Sequence, residues 1–140
     1  MKTPTDVPPI RRTAADRVAA AMLLVVGVIH LLPVTGVLGG SRLDALYGLA
    51  IEGPDLAILM RHRAVLFGLL GALLVLGAVR PAYRTVAFVA GFVSVVSFLA
   101  LAWSVGGYNA ALHRVVVADG VALVCLVVGA TAQWRCRRRL

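Results

Sequence analysis

The amino-acid sequence predicts an all-α fold, an integral membrane bundle of four transmembrane helices. Composition is the first reason, since 61% of the 140 residues are hydrophobic and the mean hydropathy is +0.94. Apolar residues make up only about half of a typical soluble domain. The second reason is that the charged residues cluster between long apolar stretches. A chain this short buries a limited share of its surface by folding, so we expect lipid to cover the rest.

The first predicted transmembrane helix covers residues 18–38. It is about 31 Å long as an α-helix, which matches the hydrocarbon core of a bilayer. Residues 1–17 contain three prolines and several arginines, and they are expected to form a cytoplasmic N-terminal tail. A cleaved signal peptide is the alternative. We reject it because the apolar stretch is too long, has no clear cleavage site, and is followed by three further stretches.

The second predicted transmembrane helix covers residues 54–79, with Pro54 and Asp55 suited to its first turn. The connection before it carries a capping-box pattern from Ser41 to Asp44, followed by apolar residues at helical spacing. Residues 42–50 are therefore predicted to form a short amphipathic helix on the outer membrane interface.

The third and fourth predicted helices cover residues 85–105 and 110–133, separated by Gly106-Gly107 and capped by Asn109. The transmembrane domain thus extends over residues 18–134, and residues 135–140 form a basic cytoplasmic tail. With the N-terminus inside, ten of the fourteen Lys and Arg residues are cytoplasmic. The positive-inside rule then predicts an inner-membrane protein with both termini in the cytoplasm.

The net charge of +8 is explained by this topology, and we predict no nucleic-acid partner. The three histidines are too scattered to predict a metal site, and we find no haem-ligand pair, nucleophile–base arrangement or phosphate-binding loop. The sequence therefore predicts no metal and no cofactor. The expected partners are the lipid bilayer and, within it, another protein or further copies of this chain.

Three ionisable residues are predicted to lie in the outer half of the bundle, namely His30, Arg63 and Asp119. Asp119 and Arg114 are five residues apart, which places their side chains about 140° apart around a helix. A partner for Asp119 must therefore come from another helix, with Arg61, Arg63 or His30 as candidates.

Two interpretations of these residues stay open. In the first, an ion pair between Asp119 and an arginine orients helices 2 and 4. In the second, ionisable side chains line a pocket that opens to the outer face, as charged residues inside membranes often do. The pocket residues are then His30, Glu52, Arg61, His62, Arg63 and Asp119.

Several segments resemble a group of small bacterial four-helix membrane proteins with a DoxX-like architecture: residues 30–36 (HLLPVTG), 46–48 (LYG), 58–68 (ILMRHRAVLFG) and 114–119 (RVVVAD). The resemblance implies the four-helix fold and no established reaction. Some members carry the label phosphopantetheine adenylyltransferase. We reject that activity because the chain has no nucleotide-binding strand–turn–helix unit and no T/H-x-G-H motif.

Three functions are compatible with these features. The first is an accessory or structural membrane module, since the short loops leave no domain outside the membrane. The second is a binder or enzyme for a lipid-soluble, quinone-like molecule that uses the polar pocket. The third is a small proton-coupled transporter, against which the strong charge bias and the off-centre carboxylate both argue.

Overall fold

The computed structural model describes residues 13–38, 45–48 and 53–138, with the side chains of 136 and 137 excepted. It contains four long helices: α1 (Ala14–Leu31), α2 (Pro54–Val79), α3 (Arg84–Val105) and α4 (Ala110–Arg137). Short 3-10 segments follow α1 at Leu32–Leu38 and precede α3 at Pro81–Tyr83. Residues 45–47 are helical, and the remainder of the predicted 42–50 helix lies mostly outside the described residues. The predicted all-α four-helix fold is confirmed.

Helix α1 begins at Ala14, four residues before the predicted start, because Thr13 and Asp16 form a reciprocal capping box. The Thr13 hydroxyl oxygen accepts from the Asp16 amide at 3.1 Å, and the Asp16 carboxylate accepts from the Thr13 amide at 3.2 Å. At its other end the α-helix stops at Leu31 and tightens into a 3-10 segment around Pro33. Proline has no amide hydrogen to continue the α-helical pattern there.

The helices form a ring in which α1 and α3 each pack against both α2 and α4. Helices α2 and α4 therefore occupy opposite corners. We call the end with the 80–83 turn, Thr13 and the end of α4 the terminal end of the bundle. The end with the 106–109 connection is called the distal end.

Small and aliphatic side chains fill the interior, including Leu23, Leu74 and Leu126. The outer surface is also apolar, and Trp103 and Val105 are among its most exposed side chains. Each of the four helical segments is long and apolar enough to cross a membrane, and only 22–28% of each apolar stretch is buried inside the protein. The exposed apolar surface belongs against lipid, so the chain is a multi-pass membrane protein.

Helices α1 and α2 cross closely where Gly27 faces Gly71. A Cβ atom at Gly71 would lie 3.1 Å from the Gly27 carbonyl oxygen and 2.8 Å from Leu31 Cγ. Small residues at crossings let membrane helices approach closely. This crossing holds the distal half of α1, including His30, against α2.

Candidate functional site

The buried histidine of α1 has one ring nitrogen paired and one unpaired. His30 is 2% exposed, and its Nδ1 lies 2.9 Å from the Val26 carbonyl oxygen. A carbonyl oxygen can only accept, so Nδ1 carries the proton of this hydrogen bond. Nε2 is buried and has no hydrogen-bond partner among the described residues. In the neutral ring this nitrogen is an acceptor without a donor.

The buried carboxylate of α4 also lacks a direct partner in the described part of the chain. Asp119 is 7% exposed, and no described basic group lies within the 4.0 Å of an ion pair. His30 and Arg63 are the groups close enough to act on it electrostatically. The ion pair required by the first interpretation is therefore not formed in the described residues, and α2 and α4 lie at opposite corners of the ring.

His30 and Asp119 line the same cavity of about 300 Å³ at the distal end, which we call the His–Asp cavity. Its walls come from the end of α1, the 45–47 segment, α2 and the start of α4. Most of them are apolar. The lining residues are Ile29, His30, Leu32, Pro33, Ala45, Leu46, Tyr47, Phe67, Ala111, Arg114, Val115, Ala118 and Asp119.

Tyr47 adds a hydroxyl group to the residues that line the His–Asp cavity. Burial raises the pKa of this phenol, and the charge of Asp119 acts in the same direction while Arg63 opposes it. The phenol therefore stays protonated at neutral pH, as tyrosine normally is. Asn109 holds the 45–47 segment in place, because its side-chain amide donates to the Tyr47 carbonyl oxygen at 2.9 Å.

Arg63 is a residue of α2, and its guanidinium group is surrounded by three aromatic rings. The carbon of its guanidinium group is 5.4 Å from the ring centre of Tyr47, 5.1 Å from Phe67 and 5.7 Å from Phe98. These distances are within the range of cation–π contacts. Arg63 also lines a second cavity of about 500 Å³, which we call the arginine cavity.

Phe67 contributes to the lining of both cavities. Its ring is 5.7 Å from the His30 ring and 5.1 Å from the Arg63 guanidinium carbon. The predicted pocket residues are thus divided between two compartments, with His30 and Asp119 in one and Arg63 in the other.

The remaining predicted pocket residues lie elsewhere. Arg61 is exposed, and its Nε donates to the Val37 carbonyl oxygen at 3.0 Å, which fastens the 3-10 segment to α2. His62 is exposed on α2 and lines neither cavity. Glu52 lies outside the described residues.

The three aromatic residues around Arg63 were not predicted from the sequence. Phe67 could have been found, because residues four apart share one face of a helix and Phe67 follows Arg63 at that spacing. Tyr47 and Phe98 come from other parts of the chain, and no spacing rule joins them to Arg63.

The terminal end holds a separate ion pair that was not predicted from the sequence. Arg84 Nη1 lies 2.9 Å from the Asp16 carboxylate, and the arginine side chain is 3% exposed. This pair joins α1 to α3 at the end opposite both cavities. It is therefore a structural contact and does not belong to the candidate site.

Comparison with protein-family models, curated proteins and solved structures finds no match to this chain. The fold defines a class, multi-pass membrane proteins built from four helices. Within that class, the described part of this chain has two cavities at its distal end that are lined by ionisable side chains.

Proposed function

We propose that this chain binds a lipid-soluble, quinone-like small molecule whose head group carries a hydroxyl donor, as a quinol does, in the His–Asp cavity. One observation carries the proposal. The cavity is lined by a buried carboxylate with no ion-pair partner, and by a histidine whose second ring nitrogen is unpaired, among the residues described.

The energetic argument is that buried polar groups are costly when they are unpaired. An unsatisfied acceptor or donor costs about 1–3 kcal/mol, and a charged group costs more. At membrane depth, such groups mark binding sites and pathways more often than structural contacts. A ligand hydroxyl in the cavity could donate to His30 Nε2 or to the Asp119 carboxylate, which would remove this cost.

The shape of the cavity supports an amphipathic ligand. Its volume of about 300 Å³ is at the lower end of the range for small-molecule sites. The apolar walls suit a ring or a short chain, while the few polar groups would fix the head group. No reaction is part of the proposal.

The membrane placement is also a proposal. We infer that the chain lies in a bacterial inner membrane with both termini in the cytoplasm, supported by the ten-to-four distribution of basic residues. The distal end then faces outward. The resemblance to small bacterial DoxX-like proteins agrees with this placement. Fusions of green fluorescent protein and alkaline phosphatase after Leu140 test it, since only the fluorescent fusion should be active.

Binding can be tested with decylubiquinol, a soluble quinol, titrated into the purified protein in mild detergent. Asp119→Asn and His30→Ala should each weaken binding about tenfold or more, as expected for one lost hydrogen bond to a charged or buried group. Matched controls are Asp55→Asn and His62→Ala, which change exposed residues of the same types. Equal affinity in all four folded variants would contradict the proposal.

A second candidate function, the accessory membrane module, makes a different prediction. This function needs a stable protein partner, and it does not need a small molecule bound in the His–Asp cavity. Crosslinking in the native membrane followed by mild detergent extraction would detect such a partner, and quinol binding would then be unaffected by Asp119→Asn.

A further inference from the structure

Arg63 presents a charge without a counter-ion in the described structure. A guanidinium group stays protonated under all ordinary conditions. No described carboxylate lies within 4.0 Å of it, and its observed contacts are the three aromatic rings. Asp119 acts on it only at longer range, and the Asp119 carboxylate lines the other cavity.

Aromatic contacts do not satisfy the hydrogen-bonding groups of an arginine. Cation–π contacts stabilise the charge through the faces of the rings. The guanidinium also has five N–H donors in its own plane, which need acceptor oxygens. No hydrogen bond from these donors is formed to the described residues. An acceptor with negative charge would neutralise the guanidinium charge and accept hydrogen bonds from its N–H groups.

The arginine cavity has the form of a groove between α2 and α3. Its lining residues are Arg63, Leu66, Phe67, Leu70, Ser94, Ser97, Phe98, Leu101, Ala102, Val105, Tyr108 and Leu112. Leu66, Leu101 and Val105 are exposed on the outer surface of the bundle. The cavity therefore opens sideways, toward the space that the bilayer occupies, and an acyl chain could enter it without crossing water.

We propose that the arginine cavity binds a single-chain lipid with an anionic head group, taken from the surrounding bilayer. The head group accepts hydrogen bonds from Arg63, as carboxylates and phosphates do in charge-assisted pairs. The chain lies along the leucine-rich wall of the groove. This site is distinct from the His–Asp cavity and differs in ligand charge, since the fixed cation selects an anion.

The test compares two spin-labelled lipids in phosphatidylcholine vesicles that contain the protein. One is stearic acid labelled near its chain end, studied in its ionised form, and the other is its methyl ester, which has the same chain and no charge. Electron paramagnetic resonance measures the motionally restricted fraction of each. The wild-type protein should prefer the anion about tenfold, the size expected for a charge-assisted hydrogen bond.

Two variants remove the site in different ways. Arg63→Gln removes the charge, and Ser97→Phe fills the groove while Arg63 stays in place. Both should lose the preference for the anion. The matched control is Arg61→Gln, which removes an exposed arginine and should keep the preference. Equal restriction of acid and ester by the wild-type protein, or an unchanged preference in folded Ser97→Phe, would overturn the proposal.

The same variants separate this site from the His–Asp cavity. His30→Ala and Asp119→Asn should weaken decylubiquinol binding and leave the stearate preference unchanged. Ser97→Phe should do the reverse. If quinol binding is unaffected by His30→Ala and Asp119→Asn, the proposal for the His–Asp cavity has failed; if the stearate preference is unaffected by Ser97→Phe, the proposal for the arginine cavity has failed.

Discussion

Replacing Gly77 with alanine tests the tightest contact between α2 and α3. A Cβ atom at Gly77 would lie 2.6 Å from the Ala87 Cβ and 3.5 Å from the Arg84 Cα. Two carbon atoms pack best at about 3.5–4.0 Å, so the helices must separate by about 1 Å. The short turn at 80–83 restricts that movement. Overpacking of this kind costs about 1–3 kcal/mol, and we expect about 3 kcal/mol here because the added methyl is fixed to the backbone and cannot move aside.

Gly120→Ala is the matched control, because a Cβ atom there meets nothing within 4 Å. Both variants gain the same helix propensity, about 0.5–1 kcal/mol. Their difference in unfolding free energy therefore isolates the contact at Gly77. Unfolding by titration with sodium dodecyl sulfate, followed by circular dichroism, should place Gly77→Ala about 3 kcal/mol below Gly120→Ala. Equal stability of the two variants would refute the packing of this hairpin.

Three further predictions concern contacts outside the cavities. Asp16→Asn should destabilise the bundle by about 3 kcal/mol because it leaves buried Arg84 without its carboxylate partner. Adding Arg84→Met should restore most of the lost stability. A double variant as unstable as Asp16→Asn would contradict the role of this ion pair. Thr13→Ala should cost about 1 kcal/mol and speed amide hydrogen exchange in the first turn of α1, whereas unchanged exchange would exclude the capping box. Asn109→Asp should keep the cap of α4 but lose the hydrogen bond to the Tyr47 carbonyl oxygen. Decylubiquinol binding should then weaken several-fold, which is about the effect of losing one hydrogen bond. Unaltered affinity would show that this hydrogen bond does not shape the His–Asp cavity.

Much of the fold could be predicted because lipid imposes a simple rule on the sequence. A helix that crosses a bilayer needs a long apolar stretch, and Gly106-Gly107 and Pro54 mark where such stretches end or begin. The start of α1 was less predictable. The capping box formed by Thr13 and Asp16 extends the helix four residues before the apolar stretch, and hydropathy carries no information about caps.

The candidate site was only partly predictable. Depth along a helix follows from the rise per residue, so His30 and Asp119 could be placed in the same half of the bundle. Rotation between helices depends on packing, chiefly at Gly27 and Gly71, and a sequence rich in small residues offers many equivalent crossings. That rotation decides which ionisable side chains share a cavity. It is the reason that Arg63 lines a different cavity from His30 and Asp119.

The most direct test of the central claim is infrared difference spectroscopy of the carboxyl group of Asp119. The claim is that this group, unpaired in the described structure, meets the head group of a ligand inside the bundle. Adding decylubiquinol to the reconstituted wild-type protein should shift a carboxyl band, and the shift should be absent from Asp119→Asn and retained in Asp55→Asn. Quinol binding with no change in any band that depends on Asp119 would contradict the account.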